Sequence, residues 1–308
     1  MLLTTSAATS LYAELTPEEM AARVRRLQIR AKRLVRMLFL GEYHSVFRGR
    51  GIEFSEVREY VPGDDVRAID WNVTARMNAP FIKKFVEERE LVVYLLVDLS
   101  ASSSFSTTPF TKRDLAAEIA TLIAFAADAN NDRVAAIAFT DRVELYLRPR
   151  KGTQHVLRMA RDFIHLRPAG RGTDPGSALD LLMRVAKRPG VVFILSDFHA
   201  SGFEASLRLA AQKHDIIAIS LTDIRELAIT AAGLLLLRDP ETGARTLIDT
   251  DDRAERAAYA AAAAARTAQR RRLLSSLGVE EVPVRTDVSY VKPLMTFFRS
   301  RAKRPRSV

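Results

Sequence analysis

The stretch LVVYLLVDLSASS, residues 91–103, decides the fold. Its first seven residues are apolar without the alternation of a half-exposed strand, which predicts a strand buried on both faces. The run ends at Asp98, and Ser100 and Ser102 follow at every second position. A buried strand therefore leads directly into a loop that carries a carboxylate and two hydroxyls.

Strand and helix patterns alternate along the rest of the chain. Further strands are predicted at 133–139, 191–196, 216–221 and 282–286, and helices at 112–129, 153–164, 175–188, 203–213, 254–277 and 290–299. Residues 143–147 suit a hairpin partner of the second strand. Segments 234–237 and 245–248 flank the turn at 241–243, which is typical of an antiparallel hairpin. The predicted fold is α/β, a doubly wound and mainly parallel sheet with helices on both faces.

Four regions are expected from changes in composition. Residues 1–40 contain a basic amphipathic helix from Pro17, which Thr16 caps. Such a helix suits a membrane surface, its own domain or a neighbouring subunit. Residues 41–90 read as a small β-rich insertion, 91–300 as the main domain and 301–308 as a disordered basic tail.

Composition excludes several classes of protein. The 308 residues contain no cysteine, so disulfides, zinc-thiolate sites and cysteine nucleophiles are absent. No stretch approaches the roughly 20 apolar residues that span a bilayer, and the first 20 residues make a poor signal peptide, so a cytoplasmic location is expected. The net charge of +10 suits an acidic partner or a solvated arginine-rich surface, and we favour the second interpretation.

Polar residues follow two of the predicted strands, where parallel sheets bind their ligands. Asp98 follows the first strand and Asp197 follows the strand at 191–196, while the glycine-rich loop 170–175 brings Thr173 to the same edge. With Ser100 and Ser102 these residues form an all-oxygen set that suits Mg²⁺, or Mn²⁺ or Ca²⁺. The set is poor in anionic ligands, so a partner's carboxylate could complete the coordination.

Each of these residues also has a simpler interpretation. The loop at Asp98 could be a capped turn, and Thr173 could cap the following helix unless Asp174 does so. Asp197 could bind the cation or hold a water molecule in its outer shell. The run Ser102–Ser104 leaves the third ligand open, with Ser102 favoured by spacing, and His199 lies close enough in sequence to approach the site.

The spacing Asp-x-Ser-x-Ser, with Thr173 in a Gly-Thr-Asp loop and Asp197 after a later strand, resembles the metal-ion-dependent adhesion site of von Willebrand factor A domains. SVFRGRGIEF (45–54), REYVPGDDVRAIDW (58–71), SDF (196–198) and RDPETG (238–243) are similar to the bacterial "domain of unknown function 58" family. The similarity covers roughly residues 40–300. It implies a MoxR-type AAA+ ATPase as partner in chaperone-like assembly or maturation of a client protein.

Three functions from different classes remain. The first, which we favour, is a non-enzymatic, cation-dependent protein-interaction module whose partner supplies an acidic ligand. The second is a metal-dependent hydrolase or phosphatase with Asp98 as nucleophile, but Ser100 stands where a second aspartate would act as general acid. The third is electrostatic nucleic-acid binding, for which the sequence contains no recognition motif, so no specific nucleic acid is expected.

Overall fold

The computed structural model describes residues 16–39, 43, 46, 56–62, 64–66, 69–77, 79–84, 91–108 and 110–303. They divide into a larger unit, formed by residues up to Val46 and from Val92 onward, and a smaller unit between Phe47 and Leu91.

The described elements follow in chain order. The helices are α1 (Pro17–Leu34), α2 (Trp71–Met77), α3 (Lys112–Ala129), α4 (Thr153–His165), α5 (Pro175–Val185), α6 (Glu204–Lys213), α7 (Ile224–Leu227), α8 (Arg253–Ser276) and α9 (Val291–Ala302). The strands are β1 (Glu56–Glu59), β2 (Phe81–Lys84), β3 (Val92–Asp98), β4 (Arg133–Phe139), β5 (Val143–Arg150), β6 (Val191–Ser196), β7 (Asp215–Thr222), β8 (Leu234–Arg238), β9 (Arg245–Asp249) and β10 (Glu280–Arg285).

The larger unit is built on a six-stranded sheet in the order β10-β7-β6-β3-β4-β5. All neighbouring strands are parallel except β5, which runs antiparallel to β4. The predicted mainly parallel α/β fold is therefore confirmed, including the hairpin partner at 143–150. The central position of β3 explains its uninterrupted apolar sequence, because strands lie on both sides and helices flank the sheet.

Side chains of β3 point alternately to the two faces of the sheet. Tyr94 and Leu96 join a core cluster with residues of α5, α6 and α8. Val93 and Leu95 are fully buried on the other face, where α3 packs against the strand. These apolar layers fix the end of β3, and with it the position of Asp98.

Helix α1 begins as predicted and packs on α3. Thr16 and Glu19 form a reciprocal capping box at its start, and a π-helical turn, Val35–Phe39, continues it. Arg30 pairs with Glu118 of α3 at 2.7 Å, and Arg23 pairs with Asp114. Part of the basic surface is thus used within the unit. None of the described helices is long and apolar enough to cross a membrane.

The smaller unit contains an antiparallel pair of strands, β1 and β2. Short apolar pieces of the predicted insertion at 57–61 and 81–86 overlap these strands, whereas a third piece at 52–54 lies outside the described residues. Helix α2 was not predicted. Its first turn is stabilised by Asp70, whose carboxylate accepts a hydrogen bond from the backbone N–H of Val73 at 3.3 Å.

The last helices end differently from one another. Helix α8 stops before Gly278, whose φ of 69° provides the left-handed cap expected for a glycine there. Helix α9 runs through Ala302, two residues into the segment predicted to be disordered, because Arg301 pairs with Asp215 at 2.5 Å. Residues 304–308 of that predicted tail lie outside the described part.

Candidate metal-binding site

Asp98 is a buried carboxylate without a positively charged partner in the described part of the chain. It ends β3 and is 2% exposed. Its Oδ1 accepts a hydrogen bond from the backbone N–H of Ser100 at 2.9 Å, and its Oδ2 accepts one from the hydroxyl of Ser196 at 2.6 Å. Burial and the nearby charge of Asp197 raise the pKa of Asp98 to about 6, even though these hydrogen bonds lower it. A cation beside this carboxylate would remove an electrostatic cost.

Ser100 and Ser102 both contribute hydroxyls at this edge of the sheet. Their Oγ atoms lie 3.0 Å apart, and Ser102 donates to Asp197 Oδ2 at 3.1 Å. Ser103 turns away and donates to the backbone carbonyl of Ser100 at 2.7 Å. The hydroxyl that contacts Asp197 is therefore that of Ser102, the residue favoured by spacing.

Asp197 forms a buried ion pair that the sequence analysis missed. The ammonium of Lys112, 1% exposed, donates to Asp197 Oδ2 at 2.7 Å and to Glu226 Oε1 at 2.6 Å. Burial would raise the pKa of Asp197, but Lys112 and His199 lower it to about 2. Burial would likewise lower the pKa of Lys112, and the two carboxylates hold it above its ordinary value. Asp197 is therefore charge-compensated by the protein, unlike Asp98.

The turn that carries Asp197 is strained. Phe198 has a φ of 56°, although it is a bulky residue and its side chain is buried. This conformation costs about 1–2 kcal/mol for a residue with a Cβ. Hydrogen bonds from Phe198 N–H to Ser196 Oγ, and from His199 N–H to Asp197 Oδ1, both 3.1 Å, hold the turn in place. Such strain is typical of functional loops.

The loop containing Thr173 is anchored on both sides. Glu144 accepts hydrogen bonds from the backbone N–H groups of Ala169 and Gly170 at 3.0 and 2.8 Å. A Cβ on Gly170 would lie 2.2 Å from Thr140 Oγ1, so only glycine fits without displacement. The carbonyl of Arg171 accepts a 2.9 Å bond from Ala101 N–H, which ties the loop to the serine turn.

Thr173 is not used as a helix cap. Asp174 caps α5 by accepting a hydrogen bond from Gly176 N–H at 2.9 Å. The hydroxyl of Thr173 instead donates to Glu241 Oε1 at 2.6 Å. Glu241 belongs to the turn between β8 and β9, and its position beside Thr173 was not predicted from the sequence.

A third strand also ends in an aspartate at this edge. Asp223 follows β7, is fully buried, and accepts hydrogen bonds from Thr107 Oγ1 at 2.6 Å and Thr286 Oγ1 at 3.0 Å. Burial would raise the pKa of Asp223, but these bonds and two from backbone N–H groups lower it. Because local donors occupy both of its oxygens, Asp223 joins three loops together and is a structural residue.

The remaining candidate residue, His199, lies at the edge of the candidate metal-binding site. Its Nδ1 is 3.9 Å from Asp197 Oδ2, and the side chain is 38% exposed. The proximity anticipated from the sequence is therefore present, but the partner of the histidine is Asp197, which Lys112 already compensates.

The donor set fits a hard divalent cation. Within the described ranges, no three His, Cys, Asp or Glu side chains are grouped so as to hold a metal by themselves. A cation here would depend on Asp98 together with the hydroxyls of Ser100, Ser102 and Thr173. Neutral oxygen ligands with few carboxylates suit Mg²⁺, which retains several waters. Asp197, with its lysine partner, suits a role in the outer shell.

Comparison with known proteins places the chain in a family. The family described as "Protein of unknown function DUF58" matches residues 56–269, so the chain belongs to that family. It is 33% identical over 296 residues to the uncharacterized proteins Mb1516 of Mycobacterium bovis and Rv1480 of Mycobacterium tuberculosis, covering 95% of this chain and 93% of each relative.

Solved structures show only distant likeness. The conserved hypothetical protein BatB from Bacteroides thetaiotaomicron has a TM-score of 0.44 and 16% identity, covering 70% of this chain and 100% of that structure. An aerotolerance-related membrane protein from Bacteroides fragilis has a TM-score of 0.45 and 15% identity, covering 69% and 98%. Both TM-scores lie below 0.5, so these likenesses support no argument about function.

Proposed function

We propose that the protein is a divalent-cation-dependent protein-interaction module, in which Asp98, Ser100, Ser102 and Thr173 hold Mg²⁺ and Asp197 orients its waters. The observation that carries this proposal is the difference between the two aspartates in their cationic partners. Asp197 is compensated by Lys112 at 2.7 Å, whereas Asp98 is buried and has no cationic partner in the described part of the chain. A cation bound there would keep net positive charge, because its other ligands are neutral.

The proposed role of the cation is to dock a partner. A positively charged ion with neutral oxygen ligands attracts a carboxylate, and an aspartate or glutamate of another protein would complete its coordination. We propose no reaction at this site. A phosphatase with Asp98 as its nucleophile would need a second aspartate as general acid, and Ser100 occupies that position. We propose that this arrangement acts as a metal-ion-dependent adhesion site on a von Willebrand A-like domain.

The partner follows from the family resemblance. That resemblance implies a MoxR-type AAA+ ATPase as partner, and we propose that such an ATPase, or the client it remodels, provides the acidic ligand. We propose that this chaperone-like maturation takes place in the cytoplasm. The exposed, arginine-rich surface of the chain is compatible with an acidic partner.

Calorimetric titration with Mg²⁺ and Mn²⁺ tests the cation. We expect saturable binding to the wild-type protein that Asp98→Ala and Ser102→Ala abolish or weaken strongly. Ser104→Ala is the matched control, since Ser104 lies in the same short turn two residues further on, and it should bind like the wild type. Equal affinity in the wild type and the Asp98→Ala variant would overturn the assignment of the site.

Binding to a purified MoxR-type ATPase from the same genome tests the partner. We expect an interaction that is lost in chelator, restored by Mg²⁺ and weakened by Asp98→Ala but not by Ser104→Ala. An interaction of the same strength in chelator and in Mg²⁺ would show that the cation does not mediate docking.

A further inference from the structure

Glu241 is held in a defined position at the tip of the β8–β9 hairpin. Asp239 accepts hydrogen bonds from the backbone N–H of Glu241 at 2.9 Å and from the hydroxyl of Thr242 at 2.7 Å. The turn closes through Gly243, whose φ of 75° suits a glycine and whose N–H donates to the carbonyl of Asp239 at 2.9 Å. The tip is therefore an ordered turn that presents one carboxylate.

That carboxylate contacts one residue of the candidate metal site, Thr173. Glu241 Oε1 accepts the hydroxyl hydrogen of Thr173 at 2.6 Å, across 68 positions of sequence. In the described part of the chain Glu241 forms no ion pair with a lysine, arginine or histidine. It contacts the hydroxyl of Thr173, which we propose as a ligand of the cation. A half-buried carboxylate without a cation, directly beside a metal ligand, is placed as a metal ligand would be.

We propose that Glu241 is an internal acidic ligand of this site, which occupies the position of the partner's carboxylate until the partner displaces it. The inference rests on the proposed function, because it requires a cation at Asp98. It adds a residue outside the set predicted from sequence, and it makes the hairpin a gate. The free protein would hold its cation with two carboxylate ligands, Asp98 and Glu241, while Asp197 stays in the outer shell, and the partner would replace only Glu241.

The hairpin is built so that it can exchange in this way. Strands β8 and β9 pair only with each other and are not part of the six-stranded sheet. The hairpin is held at its base, where Thr250 Oγ1 donates to the carbonyl of Gly233 at 2.6 Å. Two-stranded hairpins are marginally stable by themselves. The tip is held through the contact of Glu241 with Thr173, and the base is held separately by Thr250. The tip can therefore move away from the site without unfolding of the domain.

Manganese binding to single substitutions tests whether Glu241 is a ligand. We expect Glu241→Gln to bind Mn²⁺ about tenfold more weakly than the wild type, as is typical when one supporting group of a metal site is removed. Glu204→Gln, the same chemical change on helix α6, is the matched control and should bind like the wild type. Melting curves of both variants in chelator verify that the fold is intact.

A spin label measures the position of the tip directly. Since the chain contains no cysteine, Ala244→Cys, an exposed position in the same turn, accepts a single nitroxide. We expect bound Mn²⁺ to broaden the label's signal in the otherwise wild-type protein, and much less when Glu241→Gln is added.

The outcomes separate the two proposals. If the wild type binds Mn²⁺ through Asp98, and Glu241→Gln changes neither its affinity nor the broadening, the internal ligand is refuted while the cation site stands. If neither the wild type nor any variant binds Mn²⁺, the proposed function fails, and the internal ligand fails with it.

Discussion

Replacing Asp98 by asparagine is expected to stabilise the metal-free protein and to abolish its response to divalent cations. The pKa of Asp98 is about 6 in the folded protein against an ordinary value of 3.8. At pH 8 the folded state therefore carries the ionised carboxylate at a cost of about 3 kcal/mol, because one pKa unit corresponds to about 1.4 kcal/mol. Asparagine carries no charge, so Asp98→Asn removes that cost.

Part of this gain is lost through hydrogen bonding. The amide of an asparagine replaces one carboxylate oxygen with a donor, and the bond from Ser196, now 2.6 Å, loses its acceptor or must reverse. Such a loss costs about 1 kcal/mol. The expected net gain is therefore about 2 kcal/mol, or about 4–8 °C in Tm for a domain of this size.

The pH dependence of this gain has a definite sign. A raised carboxyl pKa means that the folded state binds the proton more tightly than the unfolded state. The cost of Asp98 is therefore complete above pH 6 and disappears as the pH falls towards 3.8. The difference between the wild type and Asp98→Asn should be largest at pH 8 and much smaller at pH 5.

Thermal unfolding in chelator and in Mg²⁺ measures both effects. The wild type should gain about 2.7 kcal/mol when Mg²⁺ reaches one hundred times its Kd, and the variant should gain nothing. Asp180→Asn, which changes the exposed partner of Ser206 on α5, controls for the loss of a negative charge. A variant less stable than the wild type at pH 8 in chelator would refute the idea that Asp98 is a charge without compensation.

Three further predictions concern the residues that support the site and the core. Lys112→Met should lower the free energy of unfolding by about 3–5 kcal/mol, because Asp197 and Glu226 lose their buried partner; the exposed control Lys187→Met should change it little, and equal denaturation midpoints would contradict the ion pair. Gly170→Ala should weaken Mg²⁺ binding, because its Cβ would lie 2.2 Å from Thr140 Oγ1 and would displace the loop that carries Thr173. Gly172→Ala is the control, since its Cβ would make an ordinary 3.5 Å contact. Calorimetry that finds the same Mg²⁺ affinity in both variants would contradict a role of this loop in positioning Thr173. Burial, and next to it the charge of Lys213, lower the pKa of His214 to about 4, so the contribution of His214 to stability should be nearly constant above about pH 6.5 and fall by about 2 kcal/mol by pH 5, as the unfolded state takes up the proton. The difference in stability between the wild type and His214→Phe should change by this amount between pH 7 and pH 5; denaturant titrations in which the difference is the same at both pH values would contradict it.

The fold was predictable because the pattern of apolar residues along the sequence reflects which faces of each element are buried. The run 91–97 is apolar at every position, since β3 lies between β4 and β6 and under helices on both faces. The hairpin at Gly243 was predictable from its turn residues. Helix α2 was not, because seven residues with one cap give a weak signal, and its boundaries depend on contacts that sequence spacing does not record.

The candidate site was predictable where it follows strands and unpredictable where it depends on long-range charge. Asp98 and Asp197 come directly after buried strands, so topology alone places them at one edge. Lys112 is 85 positions from Asp197 in sequence, and a lysine in the first turn of a helix is ordinarily solvated. Its one signal in the sequence is that the helix it begins is mostly apolar from Leu115 onward.

The two aspartates at the sheet edge have the same residue type and similar burial, yet they differ in their environment. Asp197 has its positive charge within the chain, 2.7 Å away on Lys112, and its pKa falls to about 2. Asp98 receives only neutral donors, and its pKa rises to about 6. A site in which both aspartates were paired would be stable and closed to cations. A site in which neither was paired would place two buried charges close together, at a cost that folding could not sustain. With one paired and one unpaired, the edge can accept one positive charge, and Glu241, which contacts Thr173, is the carboxylate that we propose shares the cation.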